Sequence, residues 1–207
     1  MEQQSLFKAY WGEHKKQPSL PASMQPVLAF LGPSGVGKST ILSELCADPA
    51  YQHIRPVTTR APRVNDWDRE TVSLGEFERR KGAHELYNCN LVYTDWYAYS
   101  IPRVQGINML DATPVVDIVL PGVQKFRKEH AQYFPEQHII TVLVTPPNED
   151  VLRERLESAG RFNPTRWAED IAWLAQARNN TLVDEHVEND TVANALQQIR
   201  SIKEKYS

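Results

Sequence analysis

Lys38 and Ser39 close the run Gly32-Pro33-Ser34-Gly35-Val36-Gly37-Lys38-Ser39, which satisfies G-x-x-x-x-G-K-[ST] at every fixed position and continues into Thr40. The chemistry open to such a run is phosphate binding. Its glycines let the backbone curl until the N–H groups converge on phosphate oxygens, and a helix N-terminus adds about half a positive charge there. Lys38 would reach the β- and γ-phosphates, and the Ser39 hydroxyl would ligate Mg²⁺. A second candidate set is cationic. Thr58-Thr59-Arg60-Ala61-Pro62-Arg63 carries Arg60 and Arg63 on a segment stiffened by Pro62, which suits a second phosphate. The third candidate is Asp117, an acid inside the otherwise apolar run TPVVDIVL at residues 113–120. A carboxylate in a central strand is costly unless it is paired or serves a cation, and at the carboxyl edge of a parallel sheet it would serve Mg²⁺.

These residues need a scaffold, and the pattern around them supplies one. Val27-Leu28-Ala29-Phe30-Leu31 reads as a buried strand feeding the glycine-rich loop, and Ile41, Leu42 and Leu45 give the helix after it an apolar face. Residues 53–58 read as extended, and a helix is expected from Gly75 to Lys81. Residues 86–101, with Tyr87, Tyr93, Trp96, Tyr97 and Tyr99, suit small antiparallel strands around a ligand cleft. Pro121 starts a helix expected over 123–132, and HIITVLVT at 138–145 is a further buried strand. Asn148 can cap the helix NEDVLRERLES. Residues 158–166 contain Gly160 and Pro164 and read as a mobile loop, flanked or occupied by Arg153, Arg155, Arg161 and Arg166. A helix over 167–183, a short strand at 186–188 and a closing helix capped by Asp190 complete the chain. Strands alternating with helices behind a phosphate loop give a parallel-sheet α/β domain. Residues 1–25 are expected to be a loosely ordered tail, with a short helix at 5–15 as the alternative; Met24 could be an internal start.

The chain has 207 residues, a net charge of −3, and two cysteines, Cys46 and Cys89, at no metal or disulfide spacing. No basic run points to nucleic acid, and no run approaches the roughly 20 apolar residues of a membrane span. A reducing, cytoplasmic setting is expected.

From Val27 onward the chain resembles the guanylate kinase family of nucleoside monophosphate kinases. The matching stretches are GPSGVGKST, TTRAPR, VSLGEFERRKG, VVDIVLPGV, TVLVTPPNEDVLRERLES and HVENDTVANALQQI. The resemblance implies a P-loop NTPase-type parallel sheet flanked by helices. It places an N-terminal extension at 1–25 and the kinase-like domain at 26–207, with an acceptor-binding subdomain at 58–110 and a short lid at 158–167. ATP and Mg²⁺ are implied, with Ser39 and Asp117 on the metal, Lys38, Arg155 and Arg161 at the transferring group, and Asn189 near the adenine. Arg60, Arg63, Glu85, Tyr99 and Ser100 would face a phosphorylated acceptor.

The departures concern the acceptor. The family's Gly-Glu and Asp-Tyr are missing from the shortened interval 64–71. The Tyr-Gly-Thr-Pro-like turn becomes Tyr99-Ser100-Ile101-Pro102, and Val119 and Pro121 replace an acid and a glutamine. Glu85 is the carboxylate left to read guanine, and the lid's second arginine falls near Trp173, so Arg161 or Arg166 must do its work. The expectation is transfer of the ATP γ-phosphoryl group to a phosphorylated acceptor, a GMP-like nucleoside monophosphate, with GMP itself not the best. The alternatives are a ribose 1,5-bisphosphate kinase, as in one relative of the family, and a silent binding module.

Overall fold

The computed structural model describes residues 24–62, 67–92 and 94–206. The expected helix at 5–15, Arg63 and Tyr93 lie outside them. In chain order the elements are β1 (Val27–Leu31), α1 (Lys38–Leu45), β2 (Tyr51–His53), β3 (Val57–Thr58), β4 (Glu70–Thr71), α2 (Leu74–Gly82), β5 (Leu86–Val92), β6 (Asp95–Ser100), α3 (Ile101–Met109), β7 (Thr113–Asp117), a 3-10 turn (Leu120–Gly122), α4 (Val123–Tyr133), β8 (Ile139–Thr145), α5 (Glu149–Ser158), α6 (Pro164–Arg178), β9 (Glu185–Glu188) and α7 (Val192–Tyr206).

Every residue of β1 is buried, because helices cover both faces of the sheet it centres. That sheet is parallel, in the order β2-β7-β1-β8-β9. One apolar cluster, with Phe126 and Phe134, lies on one face; another, with Phe30, Ile41 and Leu152, lies on the other. Each fully buried side chain of this size contributes about 1.5–3 kcal/mol. Register fixes the chemistry: Phe30 stands opposite Asp117, so the acid ends its strand level with the start of the phosphate loop.

A second sheet, in the order β4-β3-β6-β5, is inserted between β2 and β7. Helix α4 pins it to the first. The Asn88 amide donates to Glu129 at 2.7 Å, and Lys125 Nζ donates to the Cys89 carbonyl at 2.8 Å. Behind them Tyr87 bonds His130 Nδ1 at 3.0 Å, and His130 Nε2 bonds Gln137 Oε1 at 3.1 Å. That amide oxygen can only accept, so Nε2 carries the proton and the Tyr87 hydroxyl donates to Nδ1.

Several boundaries differ from the sequence expectation. β7 stops at Asp117, where the chain turns into the 3-10 segment. Helix α6 begins at Pro164 because Asn163 Oδ1 accepts from the Arg166 amide, which shortens the preceding loop and puts Arg166 in the first helical turn. It ends at Arg178 rather than running to 183. The cap of α7 is Thr191, whose hydroxyl accepts from the Asn194 amide; Asp190 instead binds the Thr191 amide and the Asn194 side chain.

Candidate active site

The phosphate loop joins β1 to α1 as a strand–loop–helix unit. Gly37 precedes α1 at φ 98°, and no side chain caps the helix, so its first N–H groups face the cleft. A Cβ on Gly37 would stand 2.4 Å from Asn189 Nδ2, and one on Gly35, at φ 79°, would stand 2.7 Å from Leu156. Close packing therefore demands both glycines as well as the turn itself. Lys38 Nζ donates to the Gly32 carbonyl at 2.7 Å and to that of Pro33 at 3.3 Å, which holds the ammonium across the loop.

A cavity of about 570 Å³ opens over this loop. Its walls include Pro33, Ser34, Ser39, Thr40, Arg155, Arg161 and residues 189–192, where β9 passes into α7. Asn189 is buried. Its Nδ2 donates to the Val36 carbonyl at 2.7 Å, while its Oδ1 has no hydrogen-bond partner among the described residues. Arg155 lines the cavity but spends its guanidinium on main-chain carbonyls, those of Asn189 at 3.0 Å and Asp190 at 3.2 Å. It braces the loop after β9, and among the described residues Arg161 is the cavity arginine without such bonds.

Asp117 opens toward the cleft beside the loop. Its side chain is exposed at the end of the strand, yet the protein crowded around it raises its pKa; Lys38 pulls it down, Asp68 pushes it up and Arg69 lowers it. A bound cation would offset that desolvation. One carboxylate and one hydroxyl, Asp117 and Ser39, fit Mg²⁺, which takes few protein ligands and completes its shell with water and substrate phosphates. No cluster of three or more metal-ligating side chains occurs among the described residues.

Asp170 is a site residue that the sequence reading missed. Desolvation raises its pKa, while Arg166, 3.9 Å away, and then the nearby Ser34 amide and Lys38 of the phosphate loop lower it. Its place on the middle of a helix gave no signal, since only the packing of α6 over the loop makes it relevant.

On the acceptor side, three of the expected residues take partners within the chain. Glu85 is engaged: Arg79 donates to it at 3.2 and 3.4 Å while also gripping Glu76 at 2.8 Å. The Tyr99 hydroxyl donates to the Asp117 carbonyl at 3.3 Å, and its ring packs edge-on against Phe126, so it is a core residue bridging the two sheets. Burial pushes its pKa up. Ser100 caps α3 by accepting from the Arg103 amide. Arg60 follows β3, with its amide on the Thr58 hydroxyl at 3.1 Å.

The guanylate kinase family model matches residues 23–206. This chain belongs to that family. A guanylate kinase of Lactobacillus delbrueckii subsp. bulgaricus is 32% identical over 187 residues, covering 85% of this chain and 86% of the relative. The ribose 1,5-bisphosphate phosphokinase PhnN of Ruegeria sp. is 34% identical over 152 residues, covering 69% of this chain and 74% of that protein. The crystal structure of guanylate kinase from Anaplasma phagocytophilum superposes with a TM-score of 0.63 at 20% identity, covering 88% of this chain and 86% of that one, which establishes the shared fold. As a guanylate kinase family member with an intact phosphate loop, the chain is a P-loop kinase, and its parallel sheet flanked by helices is the expected one. No helix among the described residues is long and apolar enough to cross a membrane.

Proposed function

We propose that this kinase transfers the γ-phosphoryl group of ATP to the phosphate of a small phosphorylated acceptor, a nucleoside monophosphate, and that GMP is not its best one. The supporting observation is an asymmetric cleft. The donor half keeps Lys38, Ser39 and Asp117 around one loop, whereas the acceptor half has Glu85 tied to Arg79 and an exposed Val119, 69% accessible, beyond Asp117. A site that reads a base by hydrogen bonds discriminates by roughly 10⁴–10⁵, because a wrong base leaves buried groups unpaired. Glu85 would have to share or release Arg79 to read guanine, which weakens that discrimination.

Catalysis would be positioning plus charge neutralisation, with no covalent intermediate. Ser39 and Asp117 would hold Mg²⁺, which supplies neutralisation of phosphate charge when bound. Lys38 and Arg161 would face the transferring group, and Arg60 with Arg63 the acceptor phosphate. Residues 58–110 would act as the acceptor-binding subdomain and 158–167 as the lid. The similarity to a ribose 1,5-bisphosphate phosphokinase, together with the engaged Glu85, favours a sugar phosphate as the second reading.

The test is kcat/KM for GMP, dGMP, AMP, UMP, dTMP and ribose 1,5-bisphosphate under one set of conditions. A nucleotide other than GMP should lead. GMP leading at ordinary metabolic efficiency would overturn the altered-acceptor reading, and the sugar bisphosphate leading would establish the second one.

A further inference from the structure

The turn at residues 67–69 sets a charged pair above a buried histidine at the end of β2. Asp68 and Arg69 form a two-pronged fork, with Arg69 Nε 2.9 Å from Oδ1 and Nη2 3.0 Å from Oδ2 of the same carboxylate. Both side chains are only about a fifth exposed, 20% and 22%. The next residue, Glu70, pairs with Val57 in the short ladder of β4 and β3, which leads directly to Arg60, and the Glu70 amide donates to the Pro56 carbonyl at 2.9 Å. The turn is therefore seated on the connection between the two sheets. The charges of Asp68 and Arg69 both act on Asp117, the acid that ends β7 level with the phosphate loop.

Beneath the turn, the Trp67 ring lies 5.6 Å from that of His53, the last residue of β2. His53 is 4% exposed, and neither of its ring nitrogens has a hydrogen-bond partner among the described residues. Buried polar groups normally have partners, so an imidazole lacking two points to another arrangement of its surroundings. The charges that face it are Asp68, Arg103, Arg55 and Arg69; burial dominates them and keeps the ring neutral, with one N–H to give. Asp68 is the carboxylate among them, and in this arrangement it is committed to Arg69.

We propose that Arg69 is a further ligand of the acceptor's phosphate, and that Asp68 and His53 are positioning residues that exchange partners when Arg69 engages it. The inference rests on the phosphotransferase reading above. A guanidinium fork fits a phosphate as well as it fits a carboxylate, and a phosphomonoester dianion competes for it with more charge than Asp68 carries. Asp68, once released, accepts from the His53 N–H, so the exchange leaves no charged group stranded and gives the histidine its missing partner. The turn would then close on acceptors that carry a dianionic phosphate, whatever their head group.

The experiment uses the full chain and the fastest acceptor of the panel, with separate KM values for acceptor and ATP, kcat, and thermal melting for each variant. Arg69→Gln should raise the acceptor KM by about tenfold or more and leave the ATP KM within about twofold, with Arg69→Lys intermediate. His53→Phe and Asp68→Asn should raise the acceptor KM by roughly three- to tenfold, whereas His53→Gln, which keeps an N–H donor, should recover most of that loss. An unchanged acceptor KM in Arg69→Gln, or an equal rise in both KM values, overturns the inference alone. Equal defects in His53→Gln and His53→Phe, both melting like the wild type, overturn the partner exchange. If Arg69→Gln melts early, Arg69→Lys decides by the same KM split. A wild-type protein that binds ATP and phosphorylates no member of the panel overturns the phosphotransferase reading, and this inference with it.

Discussion

Lys38 shows how a single side chain can be dispensable to the fold and decisive for the chemistry. Its ammonium bonds two carbonyls of its own loop and packs into neither apolar cluster. Lys38→Ala should therefore melt within a few degrees of the wild type. It should lose phosphoryl transfer by about 10²–10³, the scale for removing one preorganised charge-stabilising group. Turnover that survives the substitution would refute the donor-site assignment. Gly37 is the opposite case, since its conformation and packing are both structural. Gly37→Ala places a Cβ at φ 98° and 2.4 Å from Asn189 Nδ2, so it should cost about 1–3 kcal/mol and weaken ATP binding. Asn189→Ala removes the clash together with its bond to Val36. The double variant should be more stable than the two single losses add up to, and a denaturation cycle measures that coupling.

Among the elements, α2 sets the character of the acceptor side, because it carries Arg79 to Glu85 and to Glu76 together. Removing the arginine frees the carboxylate without touching the donor site. Arg79→Ala should raise kcat/KM for GMP relative to AMP, as Glu85 becomes able to accept from the guanine N–H groups; a fixed ratio would remove Glu85 from base reading. This helix also marks the limit of what the sequence discloses. The phosphate loop was readable because its function is local, with every fixed residue adjacent along the chain and a strand and helix on either side. The parallel sheet followed from apolar runs, and Asp117 from being an acid inside one of them. The partners that Glu85, Tyr99 and Ser100 take within the chain, Arg79, the Asp117 carbonyl and the Arg103 amide, were not legible because packing and capping determine them. Arg155, expected at the transferring group, also bonds the Asn189 and Asp190 carbonyls, which no motif announces. Asp170, Asp68 and His53 carry no motif at all; only the folded proximity of α6 to the phosphate loop, and of the 67–69 turn to β2, makes them visible.

At the scale of the molecule, two buried histidines lie where the two sheets meet. His130 joins them through Tyr87 on one ring nitrogen and Gln137 on the other, and His53 lies under the turn where the second sheet begins. Burial pushes both pKa values down to about 4 from the ordinary 6.5; for His130 the bond to Gln137 opposes this, and for His53 Asp68 opposes it while the three arginines add to it. The unfolded chain takes up a proton on each ring below 6.5, while the folded one resists until about 4. The stability is therefore fully present above pH 6.5 and is lost as the pH falls from there toward 4. Each shift corresponds to about 3 kcal/mol at the acid end, a large share of the 5–15 kcal/mol that holds a domain together. Melting temperature should accordingly begin to fall between pH 7 and about pH 5.5, above the range in which the unfolded chain's Glu76 takes up its proton near 4.5 while Arg79 and Arg80 hold the folded one down at about 2. His130→Leu separates this from general acid lability. It strands the Tyr87 hydroxyl and the Gln137 oxygen and so should lower the melting temperature at pH 7, at a cost of about 1–3 kcal/mol. It should also flatten the melting profile between pH 6.5 and 4.5, because one of the two protonations no longer discriminates between folded and unfolded chains. A profile as steep as that of the wild type would mean that the junction does not sense protons through His130.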